Sequence, residues 1–249
     1  MSDNNTLPIP KTYLEKLLKP VNRITESCVL KTKKDLLYSV CSSNDNSVIL
    51  YASCKLPVDI EETKLNIINI KRLLTGFDCL GDDGEFSLHV ERNNITCYSK
   101  NDKENTKFKY HLVDDGIIKE SPVKIESIAS LVFDTSFDIP LNKIKQIMSA
   151  YSFASDVSKI YFYSNDGKIY ADINDKTMQN VDNVSLLISD SYEGNDLEPI
   201  SIKIEVFKSL NSSKQPIKVK ISDKSKVFVF STNEDNVVEI KYIISALVK

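Results

Sequence analysis

The stretch Ile139–Tyr151, IPLNKIKQIMSAY, decides how the chain is read. Leu141, Ile144, Ile147, Met148 and Tyr151 recur at helical spacing. Pro140 stands where a helix can open, because a first-turn residue has no intrahelical N–H bond to lose. The same opening occurs about 130 residues earlier as Ile9-Pro10-Lys11, followed by Leu14, Leu17, Leu18 and Val21. There Pro20 should end or kink the helix, since proline lacks the donor and its ring crowds the preceding turn. Ile70, Leu73, Leu74 and Phe77 predict a helix later in the first half. Val206, Phe207 and Leu210 predict its shorter counterpart in the second, closed before Pro216.

Between these helices the chain alternates with period 2, the mark of half-buried antiparallel strands. Phe86, Leu88 and Val90 alternate with Ser87, His89 and Glu91, and Phe108, Tyr110 and Leu112 with Lys107, Lys109 and His111. Ile217, Val219 and Ile221 do the same against Lys218, Lys220 and Ser222, and Val238–Ile244 forms a last strand. Asn165-Asp166-Gly167 between Ile160–Ser164 and Lys168–Ile173 predicts a hairpin, because a tight hairpin turn needs positive φ. The order helix, strands, short helix, strands occurs twice, so the expectation is an α+β chain made by tandem duplication. Asp114–Ser130, DDGIIKESPVKIESIAS, has no clean period. The expected organisation is one domain over 1–115, a connector over 116–131 and a second domain over 132–249.

Composition bounds the function. With 249 residues, 41% of them hydrophobic and 27% charged, each half is large enough to bury a core without staples. Six glycines leave no Gly-rich phosphate loop. Cys28, Cys41, Cys54, Cys79 and Cys97 form no C-x-x-C pair, and with only His89 and His111 there is no zinc spacing; buried reduced thiols are expected. Neither a signal peptide nor an apolar run of membrane-spanning length is present, so a cytoplasmic protein is expected. Both histidines fall at outward positions of their strands, and Asp82-Asp83-Gly84-Glu85 lacks the ligand spacing of a calcium loop, so no enzyme, metal or cofactor is expected.

The net charge of −3 is unevenly distributed. The four helical stretches, 10–23, 69–77, 140–151 and 205–214, sum to +8, which leaves −11 for the remainder. Their cations are Lys11, Lys16, Lys19, Arg23, Lys71, Arg72, Lys143, Lys145, Lys208 and Lys214. Solvated helix faces would explain one such stretch. Four equivalent ones point to a single basic surface built from helices on an acidic β-shell.

This duplicated pattern resembles the DNA polymerase sliding clamps, or processivity factors, and looks most like the T-even-type bacteriophage clamp, a relative of PCNA. The similarity covers nearly the whole chain. It is best over Phe137–Leu187, good over Ile200–Ser222, and includes NIKRLLTGFDCLGDD at Asn69–Asp83, similar to the family's second helix and acidic turn. Pro20 departs from the family's smooth first helix. The resemblance implies duplicated clamp domains, each of antiparallel sheets with two short helices, closed head-to-tail into a homotrimeric ring. Strand edges around Thr106–Val113 and Lys176–Ser189 would pair between subunits. The ten helix cations would face duplex DNA without sequence preference, and the ring would tether a DNA polymerase after loading by a separate clamp loader ATPase. Partner peptides would dock near Ile117, Val132, Ile243, Ala246 and Leu247. A reading from another class is a duplicated β-sandwich of a viral shell or tail, which would not concentrate positive charge on helices.

Overall fold

A computed structural model describes residues 6–7, 9–81, 85–100, 105–123, 127–128, 130–174, 182–210, 215–234 and 236–247. Parts of four expectations lie outside these residues: the acidic turn at 82–84, connector positions 124–126 and 129, the edge at 176–181, and Lys214. The chain divides into two units, 1–123 with 233–240, and 124–232 with 241–249.

In the first unit β1 (Thr6–Leu7) leads into α1 (Lys11–Ile24), followed by β2 (Cys28–Ser42), β3 (Val48–Ile60), β4 (Lys64–Ile67) and α2 (Ile70–Asp78). β5 (Glu85–Glu91), β6 (Asn94–Lys100) and β7 (Asn105–His111) complete the series. Two antiparallel layers result, one ordered β1-β5-β6-β7 and the other β4-β2-β3. The expected alternation in β7 has a physical basis. Phe108 packs on Phe77 of α2 with ring centroids 5.8 Å apart, and the Tyr110 hydroxyl donates to Asn69 O at 3.1 Å. The alternating Lys107 and Lys109 are exposed on the opposite face.

α1 does not end at Pro20, one of the two outcomes expected there. The helix continues through Pro20 to Ile24, since Leu14, Leu17, Leu18 and Val21 are all buried and hold the axis across the missing bond. One lost N–H bond and a ring clash cost about 3 kcal/mol, less than four buried aliphatic side chains supply at about 1.5–3 kcal/mol each. β2 holds a second departure. Cys28 lies close enough to Cys41 for their thiols to interact electrostatically, whereas thirteen steps of straight strand would separate them by about 43 Å. The strand therefore doubles back on itself near Lys34, whose φ of 55° lies in the left-handed region.

The second unit repeats the pattern as β8 (Thr135–Ile139), α3 (Leu141–Phe153), β9 (Lys159–Asn165), β10 (Lys168–Ile173), β11 (Val184–Ser189), β12 (Glu193–Gly194), β13 (Ile200–Lys203) and α4 (Val206–Leu210). β14 (Ile217–Ser222), β15 (Val227–Glu234) and β16 (Val238–Ser245) follow. One sheet is ordered β11-β10-β9-β13 and the other runs β12-β8-β14-β15-β16. The predicted hairpin forms, with Lys168 opposite Asn165 and both turn residues at positive φ, Asp166 at 49° and Gly167 at 73°. Phe137, Phe162, Phe207, Phe228 and Phe230 form the buried centre, in ring contacts of 5.7–6.2 Å. In α3 the buried positions are Ile144, Ile147 and Ala150; Met148 and Tyr151, expected on the same stripe, are only half-buried. Gly194 is required where it stands, because at φ 98° a Cβ would come within 2.0 Å of Asp134 O.

The doubled-back β2 makes the two halves correspond strand for strand. β4-β2-β3 is the counterpart of β13-β9-β10-β11, and β1-β5-β6-β7 is the counterpart of β8-β14-β15-β16. Within the first unit the opening of β16 runs beside β3, where the Lys55 N–H donates to Val237 O at 2.9 Å. The counterparts of those two strands, β7 and β11, each end a sheet, and among the described residues neither has a partner on its outer edge.

Candidate nucleic-acid interface

The helices are placed by their apolar stripes, which leaves the cations on their other faces. Lys19, Arg23, Lys71, Arg72, Lys145 and Lys208 are exposed, and Lys16 and Lys143 are half-buried. Across the exact helical spans there are nine cations and two anions, Glu15 and Asp78.

Position within the helices is informative. A helix N-terminus carries partial positive charge, so a cation in the first turn costs about 0.3–1 kcal/mol and an anion there gains as much. None of the four helices has an acidic residue in its first turn. α2 instead places Lys71 and Arg72 there, under a cap in which Asn69 Oδ1 accepts the Arg72 backbone N–H at 2.8 Å. α3 places Lys143 in the same region, one turn after Pro140.

Pairing separates the cations further. Several lysines of strands and loops have acids beside them: Lys64 with Glu120 at 3.4 Å, Lys109 with Glu91 at 3.6 Å, Lys55 with Asp35 at 3.9 Å and Lys226 with Asp223 at 2.6 Å. Lys71, Arg72, Lys143 and Lys145 have no ion pair among the described residues. The charge of Lys71, Arg72 and Lys143 is uncompensated at the helix end where it is least favourable, and Lys145 follows in the next turn. That arrangement suits an external anion with repeated charges, such as a phosphate backbone.

The remaining expected contacts are partly committed within the protein. The Lys11 side chain is 11% exposed and donates to Gly81 O at 2.6 Å, so it secures α1 to the end of α2. Lys19 pairs with Glu15 at 2.5 Å one turn away. Lys16 lies over the Tyr13 ring at 5.5 Å and Lys208 over the Tyr151 ring at 5.2 Å. Lys208 also pairs with Glu205 at 3.6 Å. Sequence reasoning missed both aromatic contacts. Tyr13 and Lys16 are at i, i+3 and could have been found by spacing, whereas Tyr151 and Lys208 meet only through the fold.

The expected partner-docking residues are not alike. Ile117 and Val132 are 63% and 76% exposed, and Leu247 is half-buried. Ile243 and Ala246 are buried, and the segment is held by Ala246 N–H to Lys226 O at 2.7 Å and Leu247 N–H to Ser201 O at 2.8 Å. The first part of the expected connector is docked on the first unit. Glu120 accepts from Lys31, which holds its carboxyl below the usual range; Ser121 accepts from Ser42 at 2.8 Å, and Ile118 is buried.

No catalytic constellation accompanies these surfaces among the described residues. His89 Nδ1 is 3.0 Å from Thr6 Oγ1, His111 is exposed, and no group of three or more potential ligands could hold a metal. Burial pushes the Cys41 and Cys97 thiols up to about 12 and Cys54 to about 11, with Cys28 raised further, so all four are protonated at neutral pH. No described helix is long and apolar enough to cross a membrane.

No protein-family description matches the chain, and no curated protein matches it in sequence. Solved structures do match in fold. Proliferating cellular nuclear antigen (PCNA) from Entamoeba histolytica superposes with a TM-score of 0.77 at 12% identity, covering 95% of each chain. PCNA from A. fulgidus, bound to the C-terminal region of FEN-1, superposes with a TM-score of 0.77 at 11% identity, covering 98% of each chain. The chain thus has the α+β fold of PCNA-like sliding clamps.

Proposed function

We propose that this protein is a DNA sliding clamp: a non-catalytic homotrimeric ring that encircles duplex DNA and tethers a DNA polymerase. The observation that carries the reading is the set of unpaired cations in the first turns of α2 and α3. They cost the free protein stability and repay it when phosphates arrive. Lys16, Lys19, Arg23, Lys145, Lys208 and Lys214 would add to the charge that meets DNA, and Lys11 would contribute through the placement of α1.

Lysine suits a ring that must slide. It is a mobile point charge, whereas arginine makes a planar fork that locks onto one phosphate. Phosphate contacts carry no sequence information and weaken with salt. Retention then rests on closure of the ring, and the acidic outer surface keeps the duplex central.

Ring closure is supported by the repeat. The contact that β16 makes with β3 has unused counterparts in β7 and β11. Joining β7 of one copy to β11 of the next gives a head-to-tail interface whose rotation can close. Opening for DNA would fall to a clamp loader ATPase. Polymerase peptides would dock through the exposed Ile117 and Val132 and the half-buried Leu247, with the buried Ile243 and Ala246 contributing through the core of their own unit. The Lys-, Asn- and Ile-rich composition fits a phage origin; the T-even type rests on the family resemblance, and a phage clamp would act in the host cytoplasm.

Reversing three charges, Lys71→Glu, Arg72→Glu and Lys143→Glu, tests the reading. The variant should fold and lose most processive synthesis on primed DNA in the presence of polymerase and loader. Unchanged product length would sink it.

A further inference from the structure

Several lysines lie on strands rather than helices, and two of them stand together at the end of a sheet. Lys107 and Lys109 are exposed on β7, in a sheet rather than on a helix, at an open edge. Their neighbours Phe108 and Tyr110 point toward α2, so the lysines occupy the helix-free face. Lys109 is paired with Glu91 at 3.6 Å; Lys107 has no ion pair among the described residues.

The opposite open edge, β11, presents different chemistry on the corresponding face. Phe162 of β9 stacks on Phe207 of α4, which puts Phe162 and its partner Ala171 on the helix side. Asp172 and Tyr163 therefore lie on the helix-free side, as does Ser185, which pairs with Asp172. Asp172 Oδ1 accepts from Ser185 Oγ at 2.5 Å and from Tyr163 Oη at 3.3 Å. It has two hydroxyl donors and no cation among the described residues.

Resting on the ring reading above, we infer that the joint between copies is latched on its helix-free face by Lys107, with Lys109 beside it, reaching Asp172 of the next copy over Ser185. If the two sheets join edge to edge with all helices on one side, these faces become continuous. Two strand spacings, about 9.6 Å, then separate β7 of one copy from β10 of the next. An extended lysine and a carboxylate close that gap together above a residue as small as serine. Tyr163 and Ser185 hold the carboxylate toward the joint in advance. The latch also sets direction: β7 is basic and β11 lies against an acid, so β7-to-β7 joining is repelled and head-to-tail joining favoured.

The test is subunit association by analytical ultracentrifugation at about 0.1 M and 0.5 M salt, with circular dichroism as the folding control. Lys107→Glu should weaken assembly at least tenfold at low salt. Lys107→Glu with Asp172→Lys should restore it to within about threefold of wild type. Ser185→Ala, a milder change, should weaken it severalfold. A wild-type ring whose assembly is indifferent to Lys107→Glu, or a double reversal as weak as the single one, overturns the latch and leaves the ring standing. A wild-type chain that stays monomeric at every concentration overturns the ring reading and the latch with it.

Discussion

Replacing Lys71 and Arg72 together by Gln should make the free protein more stable while weakening its hold on DNA. Both side chains are exposed in the first turn of α2. Each opposes the helix dipole at about 0.3–1 kcal/mol, screened toward the lower value by solvent. Gln matches Lys and Arg closely in helix propensity, and the Asn69 cap uses the Arg72 backbone, so neither term changes. The expected gain is about 0.5–1.5 kcal/mol. With a slope of about 1–3 kcal/mol per molar urea, the unfolding midpoint of the first unit should rise by a few tenths molar. In a parallel salt titration of DNA binding, log K against log salt should flatten by about 0.9 for each phosphate that the protein no longer neutralises. A lower midpoint would mean that these cations serve the fold. An unchanged salt slope would mean that they do not meet phosphate. Either result refutes the reasoning.

Two further outcomes follow from the interior. The buried thiols Cys28, Cys41, Cys54 and Cys97 have raised pKa values in the folded state, so their contribution is intact below the unfolded value of 9.0 and lost as pH rises toward about 11–12. Unfolding free energies from urea titrations should be level between pH 7 and 8.5 and fall above pH 9, approaching about 1.4 kcal/mol per thiol per pH unit, and Cys→Ala variants should flatten that fall. Phe207→Ala removes a fully buried ring packed on Phe162 and Phe230, and should cost the second unit about 3–5 kcal/mol while leaving the melting of the first unit unchanged.

Much of this architecture is readable from spacing alone, and the exceptions share a cause. The helix at Ile139–Tyr151 and its counterpart at Ile9–Val21 are visible because buried aliphatics recur at fixed intervals. The hairpin at Asp166-Gly167 is visible because its φ values demand particular residues. Pro20 misleads because the local cost of proline is evident in the sequence and the burial that overcomes it is not. The turn inside β2 is hidden for a related reason: Lys33-Lys34 carries no Gly, Asn or Asp, and tertiary pairing imposes the left-handed φ at Lys34. At the candidate interface, charge counting found the helix cations but could not rank them. Lys11 and Lys71 look equivalent in sequence. One is enclosed against Gly81 O and the other is uncompensated, a distinction set by which residues the fold brings near. Ile243 and Ala246 enter the expected docking set through the family resemblance, which carries no information on what covers a residue in this chain; both are buried.

The central claim is topological retention, and the shape of the DNA tests it most directly. The chain should be loaded by a clamp loader and ATP onto nicked circular duplex, passed through a sizing column at about 0.3 M salt, and then cut once with a restriction enzyme. A ring that encircles without gripping stays with the circle and leaves on linearisation. Equal retention on circle and line, or equal loss from both, would contradict the account.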